Sequence, residues 1–300
     1  MSDHSHSHSL TASAKHKGRM QLVLLITLAI FVAELVGAFL SNSLVLLADA
    51  GHMFADVGGI ALALLAIFIA SRPPSDKRTF GYQRAEIVAA AFNALVLLGL
   101  SGFILFQGFV RLLEPPQVES SIMIIFGIIA LIGNGCALLL LRAGQKESLN
   151  VHGAFLEVLS DMLGAAAVII AALVIVFTGW LEADAVASLI IGVLIIPRTL
   201  RLLRESFDVL LEATPRNVDL SQVRKHILEI PGVIDAHDLH AWLITSGVPV
   251  LSAHISVIDP TERNILHKLQ ECLKDHFDVE HSTFQIEAAD HTEHEHGMHK

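Results

Sequence analysis

Charged side chains are scarce in this sequence: Asp, Glu, Lys and Arg make up only 17% of its 300 residues, whereas 53% are hydrophobic. A typical soluble domain carries about 25% charged residues. The shortage excludes an ordinary soluble globular protein and indicates an integral membrane protein.

Cysteine is almost absent. The two cysteines, Cys136 and Cys272, fall in a long apolar run and in a segment with the pattern of a soluble helix. This excludes both a disulfide framework and a Cys-x-x-Cys metal motif. We therefore expect two buried or incidental thiols.

Positive charge is scarce in the last third of the chain. From residue 207 to residue 300 there are sixteen acidic residues against seven basic ones. A surface with that balance repels nucleic acid. We expect an acidic soluble domain there and no nucleic-acid partner.

Long apolar runs are abundant, and each approaches or exceeds the roughly 20 residues that a helix needs to cross hydrocarbon. Lys and Arg are concentrated before the first run and after the second, fourth and sixth. The positive-inside rule then places both chain ends in the cytoplasm, which requires an even number of spans. The six predicted spans cover residues 20–40, 44–70, 85–110, 121–141, 151–178 and 184–203.

Two pairs of ionisable residues interrupt these runs. His52 and Asp56 lie in the second run, and Glu157 and Asp161 lie in the fifth. A spacing of four puts each pair on one face of a helix, one turn apart. A charge at the bilayer centre costs roughly 2.5–3.5 kcal/mol, and no Lys or Arg lies well inside any run to pair with these residues. The partner must come from outside the chain, as a divalent cation or as protons.

Four ligands from two facing helices complete a tetrahedral shell. One imidazole with three carboxylates suits Zn2+ and also accepts Co2+, Cd2+, Fe2+ or Mn2+. Because these ligands lose protons when metal binds, we expect transport of metal in exchange for protons by alternating access. A passive divalent-metal channel and an exporter that prefers Fe2+ or Mn2+ are the alternatives.

An enzyme is disfavoured. The chain lacks the His-Glu-x-x-His motif, and a site with four protein ligands leaves no open position for an activated water. We predict no organic cofactor, and Zn2+ enters as the transported substrate and as a candidate regulatory ion.

Further polar residues, in the apolar runs and in both chain ends, are candidates for roles in metal transport. Within the runs, Asp49 and Glu34 are candidate accessory residues of the ion or proton path. Both chain ends are low in complexity and rich in histidine, and we expect them to capture metal weakly. Their histidines are His4, His6, His8 and His16 at the start, and His291, His294, His296 and His299 at the end.

After Pro215 the pattern becomes that of a small α+β domain. The predicted order αββαβ assigns helices to 218–230 and 260–277 and strands to 233–244, 249–258 and 279–288. Histidines on or beside these strands are candidate metal ligands, and two of them, three residues apart, share a face only if their strand is irregular. The candidates are His237, His240, His254, His281 and Glu287, whereas His226, His267 and His276 lie on helices and are expected to be solvated.

Several stretches resemble the cation diffusion facilitators, in particular the bacterial zinc, cadmium and cobalt efflux branch related to eukaryotic zinc transporters. The resemblance covers about residues 18–288. It is carried by SNSLVLLADAGHMFAD, FGYQRAEIVAAAFNAL, NVHGAFLEVLSDMLG, HDLHAW and SFDVLLEATP. One departure is Glu157, because the zinc-transporter pattern usually has His there, and this leaves room for cadmium and cobalt.

The resemblance implies a homodimer of six-helix protomers in the bacterial inner membrane, with proton-coupled metal efflux and metal resistance as its activity. The implied transport site on helices two and five falls on His52, Asp56, Glu157 and Asp161. A metallochaperone-like cytoplasmic domain that binds regulatory metal is also implied. We therefore expect a His-rich tail at 1–19, a transmembrane domain at 20–206, a regulatory and dimerisation domain at 207–288, and a second His-rich tail at 289–300.

Overall fold

The computed structural model of the chain describes residues 17–142, 149–262 and 264–289. The histidines for which we predict metal capture lie outside the described residues. They are His4, His6, His8, His16, His291, His294, His296 and His299.

Six helices in the described part of the chain are long and apolar enough to cross a membrane, which confirms the predicted number of spans. Most of them extend a few residues beyond the predicted spans. The apolar pattern marks only the part of a helix that lies in the hydrocarbon core, whereas the helix itself can continue into the polar interface. The helices are α1 (Lys17–Ser41), α2 (Leu44–Ala70), α3 (Ala85–Leu113), α4 (Ser120–Arg142), α5 (Leu149–Thr178) and α6 (Glu182–Leu210).

A buried carboxylate from α6 fixes the N-terminus of α2. Asp184, whose side chain is only 2% exposed, accepts a hydrogen bond from the backbone N–H of Leu44 at 2.7 Å and one from the Ser43 hydroxyl at 2.6 Å. The guanidinium of Arg111 on α3 lies 3.7 Å from the same carboxylate. The free N–H groups at a helix N-terminus and a nearby cation both stabilise negative charge. Asp184 therefore joins α2, α3 and α6 at one end.

Helix α4 packs against both α1 and α5. Gly127 permits the close approach to α5, because a Cβ atom at this position would lie 2.8 Å from Cγ1 of Ile169. Gly133 does the same toward α1, where a Cβ atom would lie 2.7 Å from Cδ1 of Ile30. Small residues at helix crossings are typical of membrane bundles. This packing positions α5, which carries the second pair of acidic residues.

The chain divides into two compact units. The first combines residues up to Ile60 with Asn93–Leu200, and the second combines Ala61–Phe92 with Arg201–Lys300. The ionisable residues of α2 and α5 belong to the first unit, and the predicted α+β domain belongs to the second.

The second unit contains a three-stranded sheet in the order β1 (Val233–Leu243), β2 (Pro249–Val257) and β3 (His281–Ala288). β1 pairs antiparallel with β2, and β2 pairs parallel with β3. Helices α7 (Leu220–Leu228) and α8 (Asn264–Phe277) pack on one face of this sheet, which confirms the predicted αββαβ order. Fully buried residues of the core between them include Ile227, Leu251, Ile255, Leu269 and Leu273.

Candidate metal-transport site

Three of the four predicted transport-site residues come together in the first unit. His52 and Asp56 lie one turn apart on α2, with His52 Nε2 3.4 Å from Asp56 Oδ2. Asp161 on α5 joins them, and one ligand atom from each of the three residues lies within 4.8 Å of the others. The spacing of four therefore presents both α2 residues to Asp161 on α5.

The cluster is largely buried, and two of its polar atoms lack hydrogen-bond partners in the described residues. The His52 side chain is 12% exposed and Asp161 is 4% exposed. Within the described part of the chain, Nδ1 of His52 and Oδ1 of Asp161 are buried without a hydrogen bond. A buried polar atom without a partner costs about 1–3 kcal/mol. Groups with this arrangement of imidazole and carboxylate are suited to bind a cation.

Glu157 is the exception, because it forms an ion pair with a residue of α6. Arg198 donates from Nη2 to both carboxylate oxygens of Glu157, at 3.0 and 3.2 Å. The expectation that no Lys or Arg pairs with these acids is therefore wrong for Glu157. Arg198 lies near the C-terminal end of the predicted span 184–203, and α6 continues beyond that span to Leu210. Glu157 still lies close enough to Asp56 to interact with it.

Asp49 and Glu34 extend the line of acidic groups away from the cluster. Glu34 on α1 is 0% exposed and Asp49 on α2 is 3% exposed. Both oxygens of Glu34 and Oδ2 of Asp49 lack hydrogen-bond partners in the described residues. Glu34 interacts electrostatically with Asp49, and Asp49 does so with Asp161. The structure thus places the two accessory candidates in one buried acidic series with the cluster.

A cavity of about 450 Å³ reaches this region from between α5 and α6. Its polar lining includes Asp49, His52, Ser160 and Arg198, and the remainder is largely aliphatic. A cavity of this size with several polar groups can hold water or a hydrated ion.

A second cluster lies on the sheet of the second unit. His254 Nδ1 is 3.0 Å from Glu287 Oε1, and His237 Nε2 is 3.6 Å from Glu287 Oε2. The Glu287 side chain is 2% exposed, so its carboxyl group is buried beside the two imidazoles. One ligand atom from each of these residues lies within 4.8 Å of the others. Imidazole and carboxylate ligands in this number can hold a divalent transition metal.

The other two candidates of this domain, His240 and His281, are not among those three converging ligands, although Asp238 contacts both His240 and His254. Asp238 adopts a positive φ of 49°, and the pairing of β1 with β2 shifts between His237 and His240. β1 is therefore irregular between His237 and His240, which is the condition under which these two histidines can share a face. His240 Nε2 lies 2.9 Å from Asp238 Oδ1. The exposed His281 lies edge-on to the Phe80 ring, with centroids 6.2 Å apart.

Sequence reasoning missed a third cluster, formed by His226, Cys272 and His276. We expected the two histidines to be solvated and the thiol to be incidental, yet the packing of α7 against α8 brings all three together. The signal in the sequence is the spacing of four between Cys272 and His276, which places them on one face of α8.

Two protein-family models match this chain, one over the spanning helices and one over the α+β domain. The family model described as the cation efflux transmembrane domain matches residues 20–211, and that of the cation efflux protein cytoplasmic domain matches residues 215–289. The metal-bound C-terminal domain of the CzcD transporter from Cupriavidus metallidurans matches 23% of this chain and 99% of its own, with 42% identity and a TM-score of 0.22.

Full-length relatives match over most of their length. The metal cation efflux system protein CzcD of Cupriavidus metallidurans is 46% identical over 273 residues, which are 90% of this chain and 86% of that protein. The zinc transporter ZitB of Escherichia coli is 38% identical over 87% of this chain and 84% of its own. The cadmium, cobalt and zinc/H(+)-K(+) antiporter of Bacillus subtilis is 38% identical over 87% and 85%. The chain therefore belongs to the cation diffusion facilitator family of multi-pass membrane transporters, in its bacterial zinc, cadmium and cobalt efflux branch.

Proposed function

We propose that this protein exports Zn2+, and also Cd2+ and Co2+, from the cytoplasm in exchange for protons. The observation that carries the proposal is the cluster of His52, Asp56 and Asp161, which is largely buried between spanning helices. Nδ1 of His52 and Oδ1 of Asp161 have no hydrogen-bond partner among the described residues. The names of the relatives support the same metals, since they include a zinc transporter and a cadmium, cobalt and zinc antiporter.

Glu157 completes the ligand set when metal binds. Three ligands leave a tetrahedral ion one position short, and Glu157 is the neighbouring carboxylate that can fill it. To do so it exchanges its bond with Arg198 for one with the metal. Arg198 thus acts as a resident cation that holds Glu157 while the site is empty.

Proton exchange follows from the ligands themselves. Imidazole and carboxylate groups bind metal only after they lose their protons, so metal entry expels protons and acid on the far side favours metal release. The buried acids Asp49 and Glu34 offer proton-accepting positions beside the cluster. We assign them to the proton path rather than to the metal.

The cytoplasmic part, which we place at residues 207–288 beyond a transmembrane domain at 20–206, regulates transport as a homodimer. His237, His254 and Glu287 hold a regulatory divalent metal. We place both chain ends on the cytoplasmic side of a bacterial inner membrane, because the Lys and Arg residues cluster in the loops on that side. Metal bound to this domain shifts the equilibrium of the membrane part between its inward-facing and outward-facing states.

The test is Zn2+ uptake into proteoliposomes with and without an imposed pH gradient. We expect initial uptake to accelerate when the lumen is acidic and to collapse when an ionophore dissipates the gradient. The Asp76→Ala variant, which alters an exposed acid outside the spans, should respond as the native chain does. Uptake that ignores the gradient would contradict proton exchange and favour a passive pathway.

A further inference from the structure

We propose that His226, Cys272 and His276 form a thiolate-containing binding site for a soft divalent metal such as Zn2+ or Cd2+. The site lies on helices α7 and α8 of the cytoplasmic domain. It is separate from the membrane cluster and from the cluster on the sheet.

The three side chains converge from two helices. One ligand atom from each lies within 4.8 Å of the others, and the imidazole rings of His226 and His276 have centroids 4.8 Å apart. Ligands of a tetrahedral zinc ion lie roughly 3.3–3.8 Å apart, given metal–ligand distances of about 2.0–2.3 Å. The separations exceed that range by at most about 1.5 Å, a difference that small side-chain shifts of the three ligands can close.

Hydrogen bonding already selects the metal-binding form of one imidazole. Nδ1 of His276 lies 3.0 Å from the backbone carbonyl oxygen of Cys272. A carbonyl oxygen only accepts, so Nδ1 is the donor, and in the neutral imidazole the lone pair lies on Nε2. Metal-bound histidines typically donate their second ring N–H to such a carbonyl, which fixes tautomer and ring orientation.

His226 is also held in place. Its ring lies edge-on to Phe277, with centroids 5.3 Å apart and an interplanar angle of 81°. His226 precedes the buried Ile227, and Cys272 precedes the buried Leu273. His226 and Cys272 are themselves half-buried, so both lie at the rim of the helix–helix contact, partly shielded yet reachable from solvent.

The site is distinct from the cluster that contains His254. Ala253 and Ile255 belong to the core beneath α7 and α8. Successive residues of a strand point to opposite faces, so His254 points away from the helices. The two clusters thus lie on opposite sides of the sheet and cannot share one ion.

One thiolate and two imidazoles define the ligand chemistry. Thiolate favours soft metals, and imidazole suits zinc, so Zn2+ and Cd2+ are preferred over Mn2+ or Mg2+. On binding, the Cys272 S–H bond breaks, its proton passes to solvent and a metal–sulfur bond forms. Three protein ligands leave one position for water, which keeps the ion exchangeable.

The experiment is a Co2+ titration of the purified full-length chain in detergent, followed by absorption. Cobalt bound to thiolate gives a charge-transfer band in the near ultraviolet that histidine and carboxylate ligands do not produce. We expect this band in the native chain and in Cys136→Ser, which leaves Cys272 as the sole thiol. Cys272→Ser should abolish the band while the protein still elutes as a folded species in size-exclusion chromatography.

The histidines are tested in the Cys136→Ser background. Loss of a partner that only orients a ligand costs 10- to 100-fold in affinity, so His226→Asn and His276→Asn should each weaken Co2+ binding by at least about tenfold. His267 is an exposed histidine on α8, the helix that carries His276. The His267→Asn variant should therefore leave the titration unchanged. Absence of the band in Cys136→Ser, or equal affinity in all three histidine variants, would overturn the proposal.

Discussion

Removal of the Arg198 guanidinium tests whether that group holds Glu157 away from the metal. In the native chain, Glu157 must give up two hydrogen bonds of 3.0 and 3.2 Å before it can ligate. The side chains are 62% and 33% exposed, and ion pairs with such exposure contribute about 0.2–1 kcal/mol. Arg198→Gln removes that cost, so the apparent KM for Zn2+ should fall by about 1.5- to 5-fold.

The assay is the initial rate of Zn2+ uptake into inverted membrane vesicles across a range of concentrations. Arg201→Gln, on the same helix and exposed, is the matched control and should keep the native KM. In a Glu157→Ala background, Arg198→Gln should have no further effect, because the bond it removes is already lost. A higher KM in Arg198→Gln alone would refute the reasoning and show that the guanidinium presents Glu157 to the metal.

Three further perturbations follow from the structure. Glu157→His should raise the ratio of Zn2+ to Cd2+ uptake in competition, because it adds a second imidazole to the site. Asp184→Ala should lower the free energy of unfolding by about 3–5 kcal/mol, measured by thermal melting, because it leaves Arg111 and buried N–H groups without their carboxylate. Hydrogen bonds from Ser221 lower the pKa of Asp219 at the start of α7. Its contribution to stability is therefore complete at neutral pH and lost as the pH falls through that lowered pKa, so Asp219→Asn should flatten the acid side of denaturation curves.

The local features of this chain were predictable from sequence. Run length and hydropathy mark the six helices because a span needs a fixed number of apolar residues. The spacing of four in His52 and Asp56 predicts their common face because the helical period is fixed. In the soluble domain, turn residues such as Pro231 and Gly232 separate α7 from β1 close to the predicted positions.

The contacts between residues of different helices could not be predicted, because they depend on which side of each helix faces its neighbour. Arg198 lies near the end of an apolar run, and its pairing with Glu157 depends on which side of α6 faces α5. His226 and Cys272 are distant in sequence and meet because α7 and α8 cover the same face of the sheet. Hydropathy does not report the orientation of a helix about its axis, so it does not predict which side chains of two helices meet.

The most direct measurement of the central claim compares pH-gradient-driven Zn2+ uptake by native, Asp56→Ala and Asp76→Ala chains in inverted vesicles, at equal amounts of inserted protein. Asp56 contributes a carboxylate to the buried cluster, whereas Asp76 is an exposed acid outside it. We predict that Asp56→Ala abolishes uptake and that Asp76→Ala retains it. Native uptake by Asp56→Ala would contradict the assignment of this cluster as the transport site.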